Sequence, residues 1–275
     1  MTAREITDFV NNDSTKISWT VNVKDDLSKN KELSINEGRF MVAHYRPFTS
    51  THMFFSRRMN ERVLQMPQIF PHEDAENLAI CVTGRGNTDK FSCLIIKSIP
   101  DLSCVNTGQC FPRWLYSKSD EKGEQEIFDS EIETDSYGYV RKSAINENIV
   151  ASLQKKWGGG ISSDDLFYFI YGVLHVPSYR EKYAANLQKE LPRIPFPEDA
   201  QQFWILTDAG RRLAELHVLY EEVDPWPVHF EKGSWDPDEG ISHEKWFRVV
   251  KMKHPGKARK KDLSQRKFEG EFDLR

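Results

Sequence analysis

The spacing of apolar residues changes character near residue 143, and no other feature of the sequence restricts the fold as much. Upstream, short apolar runs at residues 40–45, 53–55, 78–82, 93–96 and 111–116 are separated by Gly, Pro, Asn and Asp. Their period never settles at 3.6, which is the pattern of strands in a β-rich sheet or open barrel. Downstream, Leu166, Phe167, Ile170, Val173 and Leu174 recur at helical spacing within residues 164–176, with Ser162 or Ser163 placed to cap the helix and Pro177 to stop it. Tyr179, Tyr183, Leu187 and Leu191 share a second helical face, ended by Pro192, Pro195 and Pro197. Phe203, Leu206, Leu213, Leu216 and Tyr220 form a third stripe within residues 198–223, closed by Pro225 and Pro227. The expectation is an α+β fold: a β-rich sheet or open barrel in residues 1–142, packed with a helical part in residues 143–250 and followed by a basic tail at 251–275.

The chain has the means to build a core. A hydrophobic share of 39%, with abundant Phe, Tyr and Trp, is too high for a disordered chain. No apolar run is long enough to cross a membrane as a helix, and residues 1–10 lack the apolar stretch of a signal peptide, so a cytoplasmic protein without membrane contact is expected. Cys81, Cys93, Cys104 and Cys110 are spaced too irregularly for a CxxC zinc site and are expected to be reduced, mostly buried thiols.

The net charge of −4 argues against indiscriminate binding to nucleic acid, but the charge is unevenly distributed. Between residues 251 and 267 eight Lys and Arg oppose only Asp262, a patch suited to phosphates or to solvent. Between residues 120 and 135 acidic side chains crowd a segment with few cations, the composition of a solvated loop.

Few catalytic signatures survive inspection. There is no GxxxxGK[ST] loop, HExxH, GxSxG or Asp/Asn-Pro-Pro-aromatic methyltransferase motif. Pro100-Asp101 followed by Asp120-Glu121-Lys122 formally fits a PD…(D/E)xK nuclease, in which two carboxylates hold Mg²⁺ and a lysine positions water. In residues 117–125, however, no apolar face exists to bury the strand such a site requires. Gly84-Arg85-Gly86 lacks the third glycine of a nucleotide loop and reads as a tight turn displaying Arg85.

The polar side chains of the β-rich half fit nucleic-acid recognition better. Arg46, Arg57, Arg58, Arg62, Arg85, Lys97 and Arg113 fall at or near strand ends, where loops can reach a DNA groove. Arginine forks match guanine O6 and N7, and Asn87 and Gln109 could pair an adenine. The alternative for each cation is a local ion pair with acids such as Glu61, Glu73 or Asp89.

Several blocks resemble a known family. Tyr45-Arg46-Pro47-Phe48, Phe55-Ser56-Arg57-Arg58 and Asn60-Glu61-Arg62 are similar to the opening of the C-terminal target-recognition region in type ISP restriction–modification enzymes, and more loosely in type IIG enzymes. Ile99-Pro100-Asp101-Leu102, Gln109-Cys110-Phe111-Pro112 and Leu115-Tyr116 continue the match. Its most specific part is the run from Leu166 to His175, then Pro177, Tyr179-Arg180, Tyr183-Ala184 and Leu191-Pro192-Arg193-Ile194-Pro195.

The resemblance implies sequence-specific binding of double-stranded DNA, in defence against foreign DNA. The adenine methyltransferase and ATP-dependent nuclease activities would lie in domains outside this chain, in the same polypeptide or a partner subunit. Those domains would use S-adenosylmethionine, ATP and Mg²⁺; no cofactor and no catalytic residue is expected here. The competing readings are a Mg²⁺-dependent nuclease built on Asp101, Glu121 and Lys122, and a protein-interaction scaffold.

Overall fold

The computed structural model describes residues 20–32, 34–86, 90–102, 104–106, 108–119, 134–224, 236, 238 and 240–246. Asn87, residues 120–133 of the acidic segment and the basic tail lie outside them. The chain divides into two compact units, Met1–Val223 and Asp224–Arg275. In the second unit the described residues include a short helix, His243–Trp246.

The first unit is α+β and layered. Helix α1 (Val21–Ser28) is N-capped by the Thr20 hydroxyl, which accepts from the Val23 N–H. Strand β1 (Arg39–Arg46) turns at Pro47 and Phe48 into antiparallel β2 (Thr49–Phe55), with a bulge between His44 and Arg46. Strand β5 (Ile99–Pro100) joins β1 in parallel, giving a sheet of order β2-β1-β5. The second sheet has β3 (Ala79–Val82) between β4 (Cys93–Ile96) and β6 (Gln109–Pro112), all antiparallel. The run at residues 111–116 is not one strand: the chain bends at Arg113 from β6 into β7 (Trp114–Lys118), which pairs with β8 (Tyr139–Ser143) as a separate hairpin.

Strand β3 shows how the layers meet. Every residue of β3 is buried, as in β4, so both faces are covered, and this is why both strands read as unbroken apolar runs. Ile80, Val82, Cys93 and Ile95 pack into one core with the helices, while Ala79, Cys81, Leu94 and Ile96 pack into a second with Met41, Phe55, Ile69 and Ile99. The strand-rich and helical halves therefore share a core within one unit.

Beyond α1 the helices are α2 (Met66–Ile69), α3 (Glu147–Trp157), α4 (Ser163–His175), two short turns at Pro177–Lys182 and Ala184–Leu187, and α5 (Ala200–Val218). Asn146 caps α3 and Ser162 caps α4, the latter in a reciprocal capping box with Asp165. The single second helix expected from Tyr179 to Leu191 is broken at Tyr183. Helices α4 and α5 pack closely: a Cβ at Gly172 would collide with the Leu206 carbonyl, and one at Gly210 with the Tyr168 carbonyl. Buried Tyr171 joins three elements, its hydroxyl accepting from the Ile95 N–H of β4 and bonding His217 Nδ1 of α5. Among the described residues no helix is long and apolar enough to cross a membrane.

Candidate nucleic-acid interface

A groove of about 1100 Å³ opens beside the two sheets. One side is made by inward residues of β1 and β2, among them Ala43, Thr51 and Met53, and the other by β6 and the loop before it. Residues 60–66 form one rim, and residues 99–102 with 104 and 105 form the other. The first rim holds backbone that ordinary residues rarely adopt: Arg62 (φ 55°) and Leu64 (φ 49°) are left-handed. Such strain persists only where the surroundings impose it, and it concentrates at binding sites.

The nine polar residues singled out from the sequence are not gathered in one place. Arg62 and Gln109 line the groove, Arg62 exposed on one rim and Gln109 half-buried on β6. Arg46 reaches its edge, where its guanidinium lies 2.9 Å from Asp101 Oδ1 and stacks over the Tyr45 ring at 4.3 Å. Arg57 is exposed and has no ion pair among the described residues. Arg85 stands in the expected tight turn, which is held in place because the Gly86 N–H donates to the Gln188 carbonyl (3.1 Å). Lys97 lines a smaller cavity of about 220 Å³ with His44, His72 and His217.

Arg58 and Arg113 are committed to the protein itself. Arg58 is half-buried and contacts Asp26 Oδ2 (3.1 Å), both carboxylate oxygens of Glu37 (2.9 Å) and the Glu32 carbonyl, which fastens α1 to the loop after β2. Hydrogen bonding to Glu37 and then to Asp26 raises its already high pKa. Arg113 forms a two-pronged pair with Asp164 in the first turn of α4, with Nε 2.6 Å from Oδ1 and the second contact from a terminal nitrogen to Oδ2. That pair holds the β6–β7 bend against the helical half.

Composition also hid an apolar part of the groove. Tyr45, Leu64, Leu102 and Phe111 line it and are exposed, Leu64 at 74% and Leu102 at 58%. Period counting discards exposed apolar residues as noise; only their convergence on one groove marks them. The acidic segment behaves differently from a purely solvated loop at its described end, where Asp135 Oδ1 accepts from the N–H groups of Tyr137 and Tyr139 and Oδ2 lies 2.8 Å from His72 Nε2. Of the formal nuclease triad, Asp101 is engaged by Arg46, and Glu121 and Lys122 lie outside the described residues. No group of three His, Cys, Asp or Glu among the described residues is arranged to hold a metal ion.

The Type ISP C-terminal specificity domain family matches residues 2–268 of this layered α+β chain, and the chain belongs to that family. Solved structures agree. The chain matches DrdV in a complex with DNA seen by cryo-electron microscopy (29% identity, TM-score 0.67, 92% of this chain). It also matches a nuclease-deletion mutant of the Type ISP restriction–modification enzyme LlaGI with a DNA substrate mimic (29%, 0.62, 94%), and the ATP-dependent Type ISP enzyme LlaBIII bound to DNA (27%, 0.64, 88%). The chain spans 23%, 17% and 14% of the length of those three chains. Among curated proteins there is no match.

Proposed function

We propose that this domain reads a short base sequence in double-stranded DNA for a restriction–modification enzyme. Methylation, ATP hydrolysis and cleavage, with S-adenosylmethionine, ATP and Mg²⁺, belong in this reading to other parts of a longer polypeptide or to a partner subunit. Family membership and the three DNA-bound relatives support the reading. The observation that carries it in this chain is the meeting of Arg62 and Gln109 on one groove, with Arg62 on a rim whose backbone is strained. Arg62 offers a fork for guanine and Gln109 an amide for adenine, while Leu64, Leu102 and Phe111 offer apolar contact of the kind a thymine methyl takes. Arg57, Arg85 and Lys97 are left to contact phosphates, which position the duplex without reading it.

The test begins by selecting a preferred duplex from a random pool and then compares it with a scrambled duplex at two salt concentrations. Arg62→Ala and Gln109→Ala should each lose about 1–3 kcal/mol on the selected duplex and little on the scrambled one. Arg57→Ala should weaken both alike and lower the salt slope by about one. A pool that yields no preferred sequence would overturn the reading, and equal losses on both duplexes would remove Arg62 and Gln109 from base contact.

A further inference from the structure

Three of the four cysteines, Cys81, Cys104 and Cys110, line the same groove. Their placements differ in a way that matters for thiol chemistry. Cys81 on β3 and Cys110 on β6 are direct partners across an antiparallel ladder, and their sulfur atoms stand 2.8 Å apart. Directly opposed residues in such a ladder have Cα atoms about 4.5–5.5 Å apart, inside the window of about 4.4–6.8 Å that a disulfide spans without moving the backbone. Cys93 cannot compete. It follows Cys81 in the sheet by one pleat, opposite Val82, and packs into the core on the helical side. Cys104 shares the groove-side core but is 3% exposed and sits in the loop before β6.

We propose that Cys81 and Cys110 form a redox couple on the groove floor, oxidised by hydrogen peroxide to a cross-strand disulfide and restored by thiol reductants. The two partners divide the chemistry by exposure. Cys81 is fully buried, whereas Cys110 is only half-buried and faces the groove, so an oxidant reaches Cys110 first. Its thiolate attacks one peroxide oxygen; an S–O bond forms, the O–O bond breaks, and the other oxygen leaves as hydroxide, which takes up a proton to become water. The Cys81 sulfur then attacks the sulfenic sulfur of Cys110. The S–S bond forms, the S–O bond breaks, and the departing hydroxyl carries away the Cys81 proton as a second water. Two thiols and one hydrogen peroxide thus give one disulfide and two waters. The hydrogen bond to Cys110, and then burial, hold the Cys81 thiol well above the usual range, which keeps it protonated and inert until a neighbouring sulfur is activated.

The inference rests on local geometry and does not depend on the DNA reading. The experiment treats the full chain with hydrogen peroxide, blocks remaining thiols, and maps peptides by mass spectrometry. The expected product is a Cys81–Cys110 cross-link with a loss of about 2 Da, formed equally in Cys104→Ser and reversed by dithiothreitol. In Cys81→Ser, checked for folding by its melting profile, a sulfenic acid should accumulate at Cys110 and be trapped by a cyclic 1,3-dione. A wild-type map with no Cys81–Cys110 link, or one dominated by Cys104–Cys110, overturns the proposal whether or not the serine variants fold.

Discussion

Arg62 and Arg113 are chemically identical side chains with opposite fates. Arg113 is matched by Asp164 and lies between Trp114 and Tyr168, whereas Arg62 projects from a strained rim with no ion pair among the described residues. Nothing local distinguishes them; the partner of Arg113 is on a helix far along the chain. His175 makes the same point for protonation. Burial, then the Arg180 guanidinium and His217, push its imidazole down to about 4, and Arg180 donates toward its Nδ1 at 3.2 Å. In the unfolded chain the group takes its proton near pH 6.5. Between those values the unfolded state binds more protons than the folded one, so stability is fully present above about pH 6.5 and is lost as pH falls toward 4. Burial lowers His44 and His217 in the same direction. The melting temperature should therefore drop across that window, and His175→Gln should flatten part of the drop; an unchanged slope in the variant would show that His175 does not drive it.

At the scale of elements, periodicity succeeded where one face of an element meets one surface. Helix α4 was readable from its stripe, its serine cap and the proline beyond it, and its observed limits, Ser163–His175, differ from the expected ones by a residue at each end. Strands β3 and β4 were readable as apolar runs. Two further signals lie in the sequence: Asn146 ahead of Val150, Leu153 and Trp157 marks α3, and Thr20 marks α1. The short strands β5 and β8 carry almost no pattern of their own, because they exist only through pairing with β1 and β7. The break at Arg113 was hidden for a similar reason, since the ion pair that holds the bend is distant in sequence. The close contact between α4 and α5 depends on the absence of side chains at Gly172 and Gly210, against the carbonyls of Leu206 and Tyr168. Gly172→Ala should force the helices apart and cost about 1–3 kcal/mol or more by overpacking, although alanine favours helix formation in isolation. Leu174→Ala, at a site 2% exposed, should cost about 2–5 kcal/mol. Chemical denaturation of both variants checks these values, and a Gly172→Ala variant at least as stable as the parent would mean that the helices separate freely.

For the whole molecule, the decisive feature is that the central sheet serves two cores. Ile80, Val82, Cys93 and Ile95 are covered by α4 and its neighbours, so the strand-rich half has no finished face without the helices. A chain ending at Ser143 should expose these side chains, bind a hydrophobic dye and melt without a cooperative transition; a soluble, cooperatively melting fragment would show that the halves fold separately. The α+β class, the strand and helix segments with the strongest periods, and the caps of α4 were all legible in the sequence, because period and capping arise between residues a few positions apart. The resemblance of separated blocks to one family was legible for the same reason, since each block is contiguous. Which arginines are bound internally, which polar and apolar residues share the groove, and which two cysteines face each other depended on tertiary structure. Those facts are distances between residues brought together by packing, and a linear pattern of residue types carries the chemistry of each partner without the identity of the pair.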